Sequence, residues 1–300
     1  MKRKKRIGTV GKAIGCLFFL MVSLFPIYWL VAMAIRPTDE MRGHIALIPQ
    51  SLTGIHFAEL FSAKNFGTAI INSLQTTFGS LFVSLVVGIC AAYIIARRRF
   101  RFGLKKPMTY WVLLVRVLPP VAFTIPLYIM FNKLGILNTK LPVLLACVLI
   151  NVPLIIWFLI SFFQDLPEEV EESAKVDGAT EWQTFLMIAI PLSGAIIAVM
   201  ALYAAVGTWG SWYTAFIYIT DQKKWPLQLR LRQILILDST QSLDIYSMTE
   251  EDIAQMQHQA FLMTTVKYAI IFVACLPMLV LYPFVQKYFV KGVMIGSVKG

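Results

Sequence analysis

Long apolar runs alternate with short charged ones along this chain. Six apolar runs fall at about 13–35, 69–96, 108–131, 141–163, 191–219 and 261–284. About 20 apolar residues suffice for one crossing of a bilayer. Only helices satisfy their own backbone inside one while remaining separate segments. The pattern therefore predicts an all-α integral membrane protein with six transmembrane helices. The first run follows Lys2-Arg3-Lys4-Lys5-Arg6 and contains Ala32-Met33-Ala34, which looks like a signal-peptide cleavage site. It is longer than a usual signal core and five more runs follow. It reads as a retained first helix, with a basic arm at 1–12 and one membrane domain over 13–300. Pro26 is tolerable there if neighbours satisfy the freed carbonyl.

The connecting segments differ in kind. Residues 36–68 are mixed and polar, with Pro37, Pro49 and Gly54 as breakers. Residues 220–260 form a long polar loop, more than a connection needs. The stretch 164–190 is the most ordered of them in sequence. Glu168, Glu169, Glu171, Glu172 and Asp177 put five carboxylates in ten residues. Asp165 suits an N-cap, Pro167 a helix start, and the glutamates the positive end of the helix dipole. Val170, Ala174 and Asp177 share a face, with Glu172 beside them. Gly178 is the expected stop. Thr180 and Gln183 have capping-box spacing, so a second helix follows at once, carrying Trp182, Phe185, Leu186 and Ile188. By charge pattern alone this is a solvated amphipathic linker between two spans.

Composition supports a lipid environment: 58% of residues are hydrophobic and 14% charged, with mean hydropathy +0.71. Soluble domains carry about 25% charged residues. The net charge of +11 invites a nucleic-acid reading, but its distribution does not. With six spans, the N-terminal arm, the segment after the second span, the 164–190 stretch and the tail share one side. They hold sixteen Lys and Arg, against nine in the opposite loops. That bias places both termini in the cytoplasm, and no nucleic-acid partner is needed to explain the charge. Cys16, Cys90, Cys147 and Cys275 all lie in apolar runs without metal-ligand spacing.

The predicted spans contain no Asp or Glu, where an ion-driven carrier usually keeps one. His44, His56 and His258 fall in the outside loops, and there is no H-E-x-x-H motif. There is no G-x-x-x-x-G-K-[ST] phosphate loop either, so any ATP and Mg must sit on a partner, and no cofactor is expected on this chain. Arg116 is the one charge deep in a predicted span. It either snorkels or pairs within the bundle, or faces a solute path and bonds a hydroxyl or acidic group. Pro119-Pro120 and Pro126 break the same helix, and such breaks often line cavities. Tyr203, Trp209, Trp212 and Tyr213 are either interfacial anchors or stacking platforms for a sugar ring. Asn151 is a further path candidate.

Glu172-Ser173-Ala174, Asp177-Gly178-Ala179 and Ile188-Ala189-Ile190-Pro191 resemble the "EAA" signature of ABC importer permeases. Ser173 replaces the signature's middle alanine, and Ile190 the leucine before its proline. The six-span layout, Gly135-Ile136-Leu137-Asn138-Thr139 and the terminal Lys-Gly…Gly-Ser-Val-Lys-Gly extend the likeness to carbohydrate importer permeases of the MalG type, with a MetI-like, type I fold. Gly194-Ala195 and Trp209-Gly210-Ser211 depart from the commoner pattern and look closer to the LplC-like branch, whose members tend to handle oligosaccharides of complex or acidic polysaccharides. The resemblance implies a coupling loop in which Glu172, Ser173, Ala174, Asp177, Gly178, Ala179, Ile188 and Pro191 engage an ATPase. It also implies a MalF-like second permease, two ATPase subunits, an extracytoplasmic binding protein and a carbohydrate substrate. The 220–260 loop would then reach the binding protein, unless it is only a solvated loop, and the tail 291–300 would lie against the ATPases. An ion-coupled carrier, an ABC permease for a non-sugar solute and a membrane scaffold are the competing readings.

Overall fold

The computed structural model describes residues 2–41, 45–62, 66–97, 103–240, 266–283 and 286, with side chains for all of these except 2–11 and 236–240. Among the described residues every regular element is helical. Four helices are each long and apolar enough to cross a membrane, and two bent helix pairs bring the number of crossings to as many as six. The tail and the acidic patch Glu250-Glu251-Asp252 lie outside the described residues, as do His44 and His258.

The chain divides into two compact units, residues 1–66 with 233–276, and 67–232 with 277–300. The first holds α1 (Lys2–Ile35) and α2 (Ile55–Ser62). Pro26 sits inside α1 without ending it. The link between them is cross-tied. Arg36, 1% exposed, donates to the Ala46 carbonyl at 2.6 Å, and Glu40 accepts from the backbone N–H of Gln50 (3.0 Å) and Ser51 (2.7 Å). His56 is not in an open loop as expected. It lies on α2, wholly buried, with Nε2 3.0 Å from the Arg36 carbonyl.

The second unit is organised by α3 (Phe66–Ala96) and α6 (Leu141–Asp165). At 1.5 Å per residue α3 is about 46 Å long, beyond the roughly 30 Å hydrocarbon layer. Glycines let it approach α6 closely. A Cβ on Gly79 would stand 2.6 Å from Leu144 Cδ1, and one on Gly88 2.5 Å from Ile155 Cγ2. One side of α3 is a buried polar row, Asn72, Ser73, Thr76, Thr77, Ser80 and Ser84. Asn72 Nδ2 donates to the Lys223 and Trp225 carbonyls at 3.0 and 3.2 Å, and Ser73 Oγ accepts from the Leu227 N–H at 2.8 Å.

The predicted third span is two helices, α4 (Lys105–Val117) and α5 (Thr124–Lys133), bent by 102°. Leu118 and Pro119 are both extended, as the residue before each proline of Pro119-Pro120 must be. The Gly135–Thr139 motif then turns the chain with two left-handed residues, Gly135 (φ 66°) and Asn138 (φ 60°). Asparagine is one of the few non-glycine residues that visit this region, and here its contacts are long-range: Oδ1 accepts from the N–H of Thr220 (3.2 Å) and Asp221 (2.8 Å), while its own N–H bonds the Tyr218 carbonyl at 2.9 Å. The motif thus ties the end of α5 to the end of the predicted fifth span. After α6 come α7 (Glu168–Val176), α8 (Glu181–Leu192), α9 (Gly194–Trp209), α10 (Trp212–Tyr218), α11 (Leu227–Thr240) and α12 (Val266–Pro283). The fifth span does not start at Pro191, which lies inside α8. The bend, 75°, comes at Ser193. Part of the expected 220–260 loop is helix α11.

Candidate functional site

The stretch between α6 and α9 is built by local rules. Asp165 is not an N-cap but the last residue of α6. Leu166 and Pro167 run extended, and α7 starts at Glu168 with no side-chain cap. Three glutamates in its first turn and Lys175 in its last match the helix dipole. Gly178 (φ 89°) ends it in a Schellman turn. The Gly178 N–H bonds the Lys175 carbonyl (3.0 Å), and the Ala179 N–H that of Ala174 (2.9 Å). Thr180 caps α8 reciprocally with Gln183, through bonds of 3.3 and 2.8 Å. A Lys175–Glu181 ion pair bridges the two helices. Phe185–Ala189 is a π-helical turn within α8.

Two helices joined by so short a hinge leave a groove between them. Val170, Ser173, Ala174 and Asp177 from α7 and Met187, Ile188, Pro191 and Leu192 from α8 line about 470 Å³. Five expected coupling residues, Ser173, Ala174, Asp177, Ile188 and Pro191, meet there. Gly178 and Ala179 form the hinge instead. Glu172 is exposed and outside the groove lining. Met187 in the groove is 72% exposed, and the same two helices also expose Val176 (88%) and Trp182 (62%), apolar side chains on an otherwise acidic element.

The carboxylate that α7 buries is Glu171, 1% exposed. Its Oε1 pairs with Arg97 Nη2 at 2.5 Å, and its Oε2 accepts from Tyr93 Oη at 3.1 Å. Arg97, 2% exposed, also donates through Nη1 to the Phe163 and Leu166 carbonyls at 2.7 and 3.1 Å. Neither residue was among the sequence candidates. Arg97 opens a basic run and reads as a topology charge, yet it lies four residues after Tyr93, on the packed face of α3. Glu171 and Glu172 are adjacent in sequence, and only the register of the helix separates them.

The path candidates are dispersed. Arg116 is exposed in the last turn of α4, at a small cleft shared with Phe123, Leu149 and Pro153, and has no ion pair or hydrogen bond among the described residues. Asn151, 4% exposed, donates to Thr208 Oγ1 at 3.1 Å, and Thr208 meets Ser80 at 3.0 Å, a polar link through α6, α9 and α3. Trp209 is buried, while Tyr203 on the same helix is 44% exposed. Trp212 and Tyr213 meet edge to face, and the Arg232 guanidinium covers the Trp212 ring at 3.5 Å. A larger groove of about 760 Å³ between α3, α4, α5 and α6 is lined by apolar side chains such as Val87, Trp111, Phe131 and Ile156. It offers a hydroxyl-rich solute almost no hydrogen-bond partner.

A family model described as "Binding-protein-dependent transport system inner membrane component" matches residues 84–295. The chain belongs to this permease family. Among similar proteins is "Protein LplC" of Bacillus subtilis (strain 168), 35% identical over 93% of this chain and 90% of that one. Another is the "Polygalacturonan/rhamnogalacturonan transport system permease protein YtcP" of the same strain, 32% identical over 95% of each. In a crystal structure of "a bacterial ABC transporter involved in the import of the acidic polysaccharide alginate", one chain superposes with a TM-score of 0.76. It is 24% identical over 96% of this chain and 98% of that one, which shows a shared fold. The permease is thus a multi-pass membrane protein of the importer type, helical throughout its described elements. The matched region includes the α7–α8 groove, both broken spans and Arg97.

Proposed function

We propose that this chain is the translocating subunit of an ABC importer that carries a carbohydrate, an oligosaccharide, into the cytoplasm by alternating access. The observation that carries the coupling role is the α7–α8 groove, with its glycine hinge and the exposed apolar side chains of the two helices that form it. Its mostly apolar lining suits it as a receptor for a partner. Separate ATPase subunits, holding ATP and Mg, would engage it. The working complex would comprise this chain, a MalF-like second permease, two ATPases and a binding protein, with both termini of this chain in the cytoplasm. The carbohydrate assignment is supported by what the relatives' names say those proteins transport. An acidic sugar is favoured by Arg116, a cation beside a break in a membrane helix with no acidic neighbour among the described residues.

Co-purification from native membranes, followed by an ATP hydrolysis assay, tests the class. A second permease and an ATPase stimulated by a loaded binding protein is the expected result. Recovery of this chain alone, still transporting down an ion gradient, would replace the importer with a secondary carrier. Asp177→Arg should abolish uptake while the protein stays inserted. Arg116→Gln should weaken uptake of uronate oligomers roughly tenfold and leave neutral oligomers unchanged, since a charged hydrogen bond contributes about 1.5–3 kcal/mol.

A further inference from the structure

We infer that Arg97 and Glu171 form a latch that makes α7 one mechanical body with the ends of α3 and α6, so that a push on the coupling helix reaches both spans without passing through the Gly178 hinge. This rests on the importer reading above. The geometry is specific to transmission. Arg97 is the last described residue after α3, and one of its nitrogens holds two carbonyls where α6 ends while the other holds Glu171. The α6 carbonyls are among those a helix leaves unpaired at its C-terminus, where a cation is favoured. Tyr93, one turn earlier on α3, donates to the second Glu171 oxygen and packs against Phe163 and Phe185, with ring centroids 5.4 and 4.7 Å apart. Three elements therefore share one guanidinium.

Stability alone explains this arrangement poorly. A buried ion pair loses most of its attraction to desolvation, and apolar residues of similar volume often do as well or better. What a forked guanidinium supplies that apolar packing does not is direction: planar donors hold their acceptors at fixed angles. Membrane topology does not require the pair either, since an arginine retained only for its charge has no reason to be 2% exposed.

The test is hydrogen exchange of the intact importer complex, with and without ATP and vanadate, which needs no knowledge of the solute. In the wild type, exchange in 168–176 and in 92–97 should both slow, by roughly tenfold, within the range typical of coupling networks. In Glu171→Gln, close in shape but uncharged, and in Arg97→Gln, 168–176 should still respond and 92–97 should not. ATP hydrolysis should stay within about twofold of wild type, and the double variant should lose no more than either single one, as for groups acting as a unit. A nucleotide response in 92–97 that survives in both single variants overturns the latch, as does a wild type in which only 168–176 responds. Variants that lose complex assembly and hydrolysis together would show a folding staple and also overturn it. A wild-type complex without nucleotide response in 168–176 would instead sink the importer reading on which the latch depends.

Discussion

Gly178 shows how much one residue decides. Its φ of 89° lies where a Cβ is strained, and no atom stands within 4 Å of where one would be. Replacement is therefore a matter of backbone conformation alone. Gly178→Ala should cost about 1–2 kcal/mol in the α7–α8 turn, while Gly178→Asn should cost less because asparagine visits this region. Uptake should fall in the order Gly, Asn, Ala, and equal uptake by the last two would mean the hinge angle is not critical. Glu40 is the titrating counterpart in the first unit. Its carboxyl is held below the usual range, chiefly by the Ser51 hydroxyl, with the Gln50 and Ser51 amides and Arg36 assisting and loss of water opposing. A carboxyl depressed in the fold stabilises it above its unfolded value, about 4.3, and that contribution is lost as pH falls through the lower folded value. Exchange protection in 45–53 should fade over that acid window, and Glu40→Gln should flatten the dependence.

At the level of elements, α3 and α6 pack through glycine. Gly88→Ala would bring a methyl to 2.5 Å from Ile155 Cγ2, well inside contact distance. Overpacking of this kind costs about 1–3 kcal/mol. A lower melting temperature in detergent is the expected reading, with Gly67→Ala, in open space, as the silent control. Helices and most of their boundaries were legible in the sequence because they obey local rules, although the cap expected at Asp165 is instead the end of α6. The Thr180/Gln183 box, the Gly178 stop and the Pro119-Pro120 break all appear where residue types require them. Less legible was what depends on register and on distant chain. Nothing local distinguishes Glu171 from Glu172, and burial of Arg97 needs Phe163 and Leu166, more than sixty residues away. Proline at 191 suggested a span start, but a proline fits the first turn of a helix or a segment whose neighbours relieve it. Here the direction changes two residues later, at Ser193, whose hydroxyl bonds the Ala189 carbonyl at 2.7 Å.

For the whole molecule, the sequence conveyed class better than site. Six apolar runs and a coupling signature were enough to place the chain among importer permeases. The solute path was not legible, because path residues are defined by which side chains face one another across helices. Asn151 illustrates this: its sequence position gives a polar residue in a span, and only the structure gives its partner, Thr208.

The π-helical turn at Phe185–Ala189 fits one more residue into its turn than an α-helix would. Deleting a single residue there should let α8 relax to regular winding with little rotation between its two ends, because the turn loses only the residue it holds in excess, whereas the same deletion in a regular turn would rotate one end by about 100°. Only in the second case would Trp182 and the α7 wall of the groove face a different quarter. The wide turn thus lets the chain carry one extra residue while the groove and the helix beyond Ser193 keep their angular phase.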